Sequence, residues 1–193
     1  MDVNISDPFR LVITGNPGVG KHTAAYELTK NSEFTLIDIN HLAVQHHAFL
    51  HNLEVDLKRI ASIIESKLDE SQRIVIVGHL APYVLKKEWV DLAIVLRKSP
   101  YSLLRILENR RYSAEKIREN VASEILGIIL YDSVQCFGKE KIAELDTTQF
   151  SPAEIRDTII SLVSSKASRR IGIVDWLSLV SEKGDLGRFL EYS

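Results

Sequence analysis

The apolar run Leu11-Val12-Ile13-Thr14 passes directly into Gly15-Asn16-Pro17-Gly18-Val19-Gly20-Lys21-His22-Thr23, and that segment passes directly into Ala24-Ala25-Tyr26-Glu27-Leu28. A strand, a glycine-rich turn and a helix in immediate succession point to an α/β fold with a phosphate-binding loop at the strand's carboxyl end. Glycines let the backbone approach an anion closely, the loop amides and the amino end of the helix point at it, and Lys21 sets a positive charge beside its outermost part. Strand before, helix after and lysine in register are the conditions that separate a working loop from a chance glycine pattern. Gly15, Gly18, Val19, Gly20, Lys21, His22 and Thr23 are therefore read as the contacts to nucleotide phosphates. The ending is unusual, because His22 stands where a serine or threonine hydroxyl ordinarily meets Mg2+. Thr23 remains free to touch a phosphate oxygen.

Further apolar, β-branched runs at residues 34–39, 73–77, 92–96 and, more weakly, 142–145 alternate with stretches of helical period. Five strands alternating with helices imply a parallel sheet covered on both faces, since right-handed crossovers carry the helices there. At 193 residues and 45% hydrophobic content, the chain has material for a single domain of this kind. Ser99-Pro100 offers a cap with proline in the first turn, and Ser151-Pro152-Ala153-Glu154 completes a capping box. Ile117, Val121, Ile125, Ile128 and Ile129 predict one long amphipathic helix over residues 113–137, ending at Gly138. It begins just after the basic cluster Asn109-Arg110-Arg111-Tyr112. A helical pattern returns at residues 174–180.

Composition narrows the function classes. A net charge of -2 gives no global field for nucleic acid, so bulk nucleic-acid binding is not expected. Cys136 is the one cysteine and reads as a small buried side chain rather than a nucleophile. Residues 1–10 have no apolar core, and no later stretch approaches the length of a membrane span, so a cytoplasmic protein without membrane association is expected. Trp89 and Trp176 read as anchors of helices against the sheet.

In doubly wound phosphate-loop folds, the strand beside the first usually ends in an acid that organises the waters around magnesium. Here that run ends Val75-Ile76-Val77-Gly78-His79, so Val77 occupies the acidic position and His79 is the first polar side chain beyond it. His41, His46, His47 and His51 gather upstream, and the four-residue spacing of His47 and His51 could share a metal on one helical face. No cysteine or nearby carboxylate completes such a set. A solvated helix is the preferred reading, and no metal site is assigned.

The loop, Val77-Gly78-His79, Val95-Leu96-Arg97, the stretch Leu107-Glu108-Asn109-Arg110-Arg111-Tyr112-Ser113-Ala114-Glu115-Lys116-Ile117-Arg118-Glu119-Asn120, Glu124-Ile125 and Val174-Asp175-Trp176 together resemble the archaeal branch of the atypical adenylate kinases. That group includes the nuclear adenylate kinase isoenzyme six and its yeast ribosome-assembly counterpart. The resemblance covers most of the chain and is strongest from the fourth strand through the long helix. It implies a P-loop NTPase fold of the nucleoside monophosphate kinase kind, with strand order 2-3-1-4-5, a monophosphate-binding region at about residues 38–55 and a short lid at about 109–119. It also implies phosphate transfer from ATP, with Mg2+, to AMP, together with ATPase activity. A role in late maturation of the small ribosomal subunit, through binding its eleventh ribosomal protein, is implied as well. On this likeness Lys21 and Arg110 would stabilise charge on the transferred phosphoryl group, Arg110 from the lid. Thr23 would steady the phosphates, and His79 would orient water or metal.

The sequence also departs from the family pattern. Val77 replaces an acid. His41-Leu42-Ala43-Val44 replaces Asp-Leu-Ala-Arg, so the arginine that would hold the acceptor phosphate is absent. A charged hydrogen bond to phosphate is worth about 1.5–3 kcal/mol, so this loss should weaken acceptor binding roughly tenfold to a hundredfold. Protonated histidines of the nearby cluster could stand in for it. ATP binding, which rests on the loop, Lys21 and the lid, should survive better than AMP phosphorylation. An assembly factor that uses ATP only as a conformational ligand is the alternative.

Overall fold

The computed structural model describes residues 8–51, 54–68, 72–165 and 169–190, so the amino-terminal segment read above lies in part outside the described residues. Side chains along the strands alternate between two apolar cores, one on each face of the sheet. Leu11 and Ile13 of β1 (Phe9–Thr14) enter the first core and Val12 the second. β3 (Arg73–Val77), β4 (Leu92–Arg97) and β5 (Ile142–Asp146) divide in the same way. β2 (Thr35–Asp38) forms one edge, and its Ile37 lies in the second core. Every pairing is parallel and the order is β2-β3-β1-β4-β5, as the sequence implied. Strands buried on both faces read as continuous apolar runs, which is why they were legible.

The first core is closed by α1 (Lys21–Thr29), α5 (Pro100–Asn109), α6 (Ala114–Leu126), α8 (Pro152–Ser164), α9 (Trp176–Glu182) and α10 (Leu186–Leu190). The second is closed by α2 (Ile39–Gln45), α3 (Leu57–Glu65), the single turn α4 (Ala81–Val84) and α7 (Ile128–Phe137). Trp89 is buried in the second core, with the Lys86 ammonium 4.5 Å from its ring centroid. The capping box of α8 forms as expected: Ser151 accepts from the Glu154 amide and Glu154 accepts from the Ser151 amide. Ser99 precedes α5, but its side chain makes no capping bond. Proline at the first position needs no amide partner there.

The long helix expected over residues 113–137 is two helices. Gly127, at φ 66°, ends α6 and starts α7. Val121 and Ile125 before it face the first core, whereas Ile129 and Phe137 after it face the second. The chain thus changes sheet face at Gly127, and a left-handed residue makes that turn at least cost in glycine. The apolar spacing continues through the break, which hid it from the sequence.

Candidate functional site

β1 lies between β3 and β4, where the outward runs of the sheet diverge, and ligands gather at the carboxyl edge of such a point. The glycine loop fills that position. Gly15 has φ 134°, and a Cβ there would lie 2.3 Å from the Leu96 carbonyl oxygen; at Gly18, φ 94°, a Cβ would lie 2.6 Å from Leu103 Cδ1. Side chains at either place would displace the loop. Gly20, also left-handed at φ 101°, precedes the first turn of α1 and its carbonyl accepts from the Ala24 amide.

Polar side chains from two elements outside it hold this loop. Thr147, just past β5, donates to the carbonyl oxygen of Val19 or of Arg97, each 2.9 Å away. Asn16 donates through Nδ2 to Glu124 Oε2 at 2.8 Å and accepts from Ser123 Oγ at 2.9 Å. The Glu124 carboxylate, fully buried on α6, also accepts from Arg97 Nε at 2.8 Å, the Lys98 amide at 3.0 Å and Trp176 Nε1 at 3.1 Å. Trp176 is thus a hydrogen-bond partner as well as an anchor. Asn16, Thr147 and the full role of Glu124 escaped the sequence reading, because nothing local marks a polar residue as a support for a distant loop.

Lys21 is 4% exposed, and its ammonium donates to the Asn16 carbonyl at 2.8 Å. Burial first, then the Arg110 charge, pull its pKa down to about 7, against the opposing pull of Glu124 and Asp38. The site therefore holds a cation short of countercharge, which is the electrostatic condition for taking up an anion. Thr23 is exposed on the same first turn. Arg110 caps α5 and is exposed, close enough to Lys21 to act on its charge. Arg111 follows at φ 57°, and α6 begins at Ala114, so residues 109–119 comprise a tight turn and the opening turns of a helix.

His79 follows β3 and is only partly exposed. Burial above all, then the charges of Lys21, His22 and Lys116, push its pKa down from 6.5 to about 4. It is neutral at pH 7. Folding keeps the ring neutral where the unfolded chain would protonate it, so this group lowers stability as pH falls from about 6.5 toward 4 and leaves it unchanged above that window. His79→Gln is expected to remove about 2 kcal/mol of acid sensitivity between pH 7 and pH 5. Urea unfolding of both proteins at pH 7, 6 and 5 checks this, and parallel stability profiles would contradict it.

The acid missing from β3 arrives from β2. Asp38 ends that strand directly opposite Val77 in the parallel register, and its Oδ2 lies 3.2 Å from His22 Nε2. Its Oδ1 accepts from the amides of Asn40 and His41, capping α2. Burial pushes the Asp38 pKa up, but hydrogen bonds from His22 and from the His41 and Asn40 amides outweigh it and leave a net lowering. The donors offered to a cation arriving with a nucleotide are thus an imidazole and a carboxylate, and a divalent ion fits them chemically.

The histidine cluster is not a helix face. α2 stops at Gln45, His47 takes φ 47°, and His51 lies in a turn between the bridged residues Phe49 and Val55. Among the described residues no group of three or more His, Cys, Asp or Glu could hold a metal ion. Val44 is 64% exposed on α2. Cys136 donates to the Leu85 carbonyl at 3.4 Å, and burial raises its pKa, as suits an inert thiol. No described helix is long and apolar enough to cross a membrane.

A family described as "AAA domain" matches residues 11–127. A "Putative adenylate kinase" of Pyrococcus abyssi is 35% identical over 175 residues, covering 89% of this chain and 93% of the relative. A protein of the same name from Saccharolobus solfataricus is 32% identical over 186 residues, covering 94% and 92%. Among solved structures, a shikimate kinase from Acinetobacter baumannii has a TM-score of 0.60 at 14% identity, covering 86% of this chain and 97% of the other. A gluconokinase from Sinorhizobium meliloti has a TM-score of 0.55 at 15% identity, covering 81% and 92%. At those identities the two structures speak for the fold alone.

Proposed function

The chain belongs to the AAA-domain family and to the adenylate kinase-like proteins it matches, and on that footing we propose that it is an ATP-binding nucleoside monophosphate kinase of adenylate kinase type, with ATPase activity and a weakened acceptor site. The observation that carries this reading is Lys21, a buried cation short of countercharge among loop amides, with Arg110 acting on it from the turn before α6. Gly15, Gly18, Val19, Gly20 and Thr23 would line the phosphates, and Lys21 and Arg110 would meet charge developing on the transferred group. A divalent cation bound with ATP adds charge neutralisation on the phosphate oxygens. Neutral His79 has a lone pair to orient the water that attacks phosphorus in hydrolysis. All 193 residues would act as one domain, with residues 38–55 on the acceptor side and 109–119 as lid.

A second reading has its own observation. Val44 presents an exposed apolar side chain where an arginine would hold the acceptor phosphate, which suits a factor that binds ATP without transferring phosphate and acts through a small-subunit ribosomal protein. ADP formation from ATP, with and without AMP, separates the two. The enzyme reading expects ATP hydrolysis that Lys21→Ala removes, slow transfer to AMP, and a KM for AMP lowered by at least about tenfold in Val44→Arg. Absence of any Lys21-dependent ADP would leave the assembly-factor reading, which retention of the ribosomal protein on the purified chain would then support.

A further inference from the structure

We propose that His22 and Asp38 form a two-ligand divalent-cation site, completed by nucleotide phosphate oxygens, that prefers nitrogen-accepting ions such as Mn2+ or Co2+ over Mg2+. The inference rests on the nucleotide-binding reading above and adds the identity of the metal. Two ligand atoms about 2.1 Å from one ion and at right angles about it lie about 3.0 Å apart. His22 Nε2 and Asp38 Oδ2 are already 3.2 Å apart.

Both ligands are oriented for the task. The Asn40 and His41 amides, at 2.9 and 3.1 Å, hold Oδ1 of Asp38, which leaves Oδ2 directed at the loop. Supporting hydrogen bonds of this kind fix a metal-binding carboxylate. His22 follows Lys21 on the first turn of α1, and its side chain is half exposed, so it can accept an ion without repacking the core. Metal binding needs the Nε2 lone pair. The proton that Nε2 shares with Asp38 passes to Nδ1 or to water, and the ion takes its place between the two side chains.

Ligand chemistry then sets the preference. Mg2+ demands an octahedron of oxygens and gives up water reluctantly, whereas first-row transition ions, Mn2+ the weakest of them, accept an imidazole nitrogen more readily. A threonine at residue 22 and an acid at residue 77 would favour Mg2+; this chain has neither. Since no third His, Cys, Asp or Glu among the described residues joins the pair, the ion should bind weakly alone and firmly with nucleotide.

The test is ADP binding by calorimetry in Mn2+, Mg2+ and EDTA, joined to electron spin echo spectroscopy of the Mn2+–ADP complex. Wild-type protein should bind ADP about tenfold more tightly with Mn2+ than with Mg2+, and its echo should carry nitrogen modulation from an imidazole. His22→Thr should bring the affinity ratio near one and erase the modulation. Asp38→Asn should weaken ADP binding with either ion. An affinity ratio unaltered by His22→Thr, or an echo without nitrogen modulation, overturns the proposal while ADP binding in EDTA keeps the nucleotide reading intact. Absence of ADP binding in all three media overturns both.

Discussion

Arg97→Met is expected to cost roughly 3–5 kcal/mol, the range for removing one partner from a buried ion network, out of a total stability of about 5–15 kcal/mol. Arg97 ends β4 and is 4% exposed. Its Nε donates to Glu124 Oε1 at 2.8 Å, one terminal nitrogen donates to Glu144 Oε1, and the other donates to the Glu124 carbonyl at 2.7 Å. Glu144 also accepts from the Ile173 amide at 2.9 Å. Without the guanidinium, two buried carboxylates face each other, and one must take up a proton or admit water. The damage should reach the phosphate loop, because Asn16 hangs from the same Glu124 carboxylate. Denaturant midpoints measure the loss. A change below about 1 kcal/mol would show that the network is solvated and weak.

The second large effect belongs to Lys21. Lys21→Ala removes a cation that burial and Arg110 disfavour, so folded stability should stay level or rise. ATP affinity should fall at least tenfold and more nearly a hundredfold, from loss of a charged hydrogen bond worth about 1.5–3 kcal/mol. Thermal melting and ATP titration of the same preparation separate the two quantities. A variant that melts early and binds poorly would reflect misfolding, whereas unchanged melting with lost affinity assigns the effect to the phosphates. Equal ATP affinity in both proteins would remove Lys21 from the site.

What the sequence made legible was local. Residues 15–23 carry their conformation in their own glycines, and strands buried on both faces announce themselves as apolar runs. What it hid was adjacency. Along β3 the expected place for an acid is Val77, whereas the carboxylate at that edge comes from the neighbouring strand, where Asp38 pairs with Val77 in register. One local signal was available, since an aspartate followed by Ile39-Asn40-His41 is a helix cap, but capping alone does not say which ligand the second oxygen faces. The break at Gly127 was hidden because the apolar spacing runs through it while the face it serves changes. The spacing of His47 and His51 suggested a shared helix face, yet the chain leaves the helix at Gln45.

The direct test of the central assignment is a calorimetric titration of the purified full chain with ATP, followed by AMP into the ATP-analogue-saturated protein. One saturable ATP site that Lys21→Ala weakens, followed by an AMP heat that is small in wild type and larger in Val44→Arg, is the expected result. A chain that gives no ATP heat, with Mn2+ or Mg2+ alike, would contradict the assignment of the glycine loop and Lys21 to a nucleotide's phosphates.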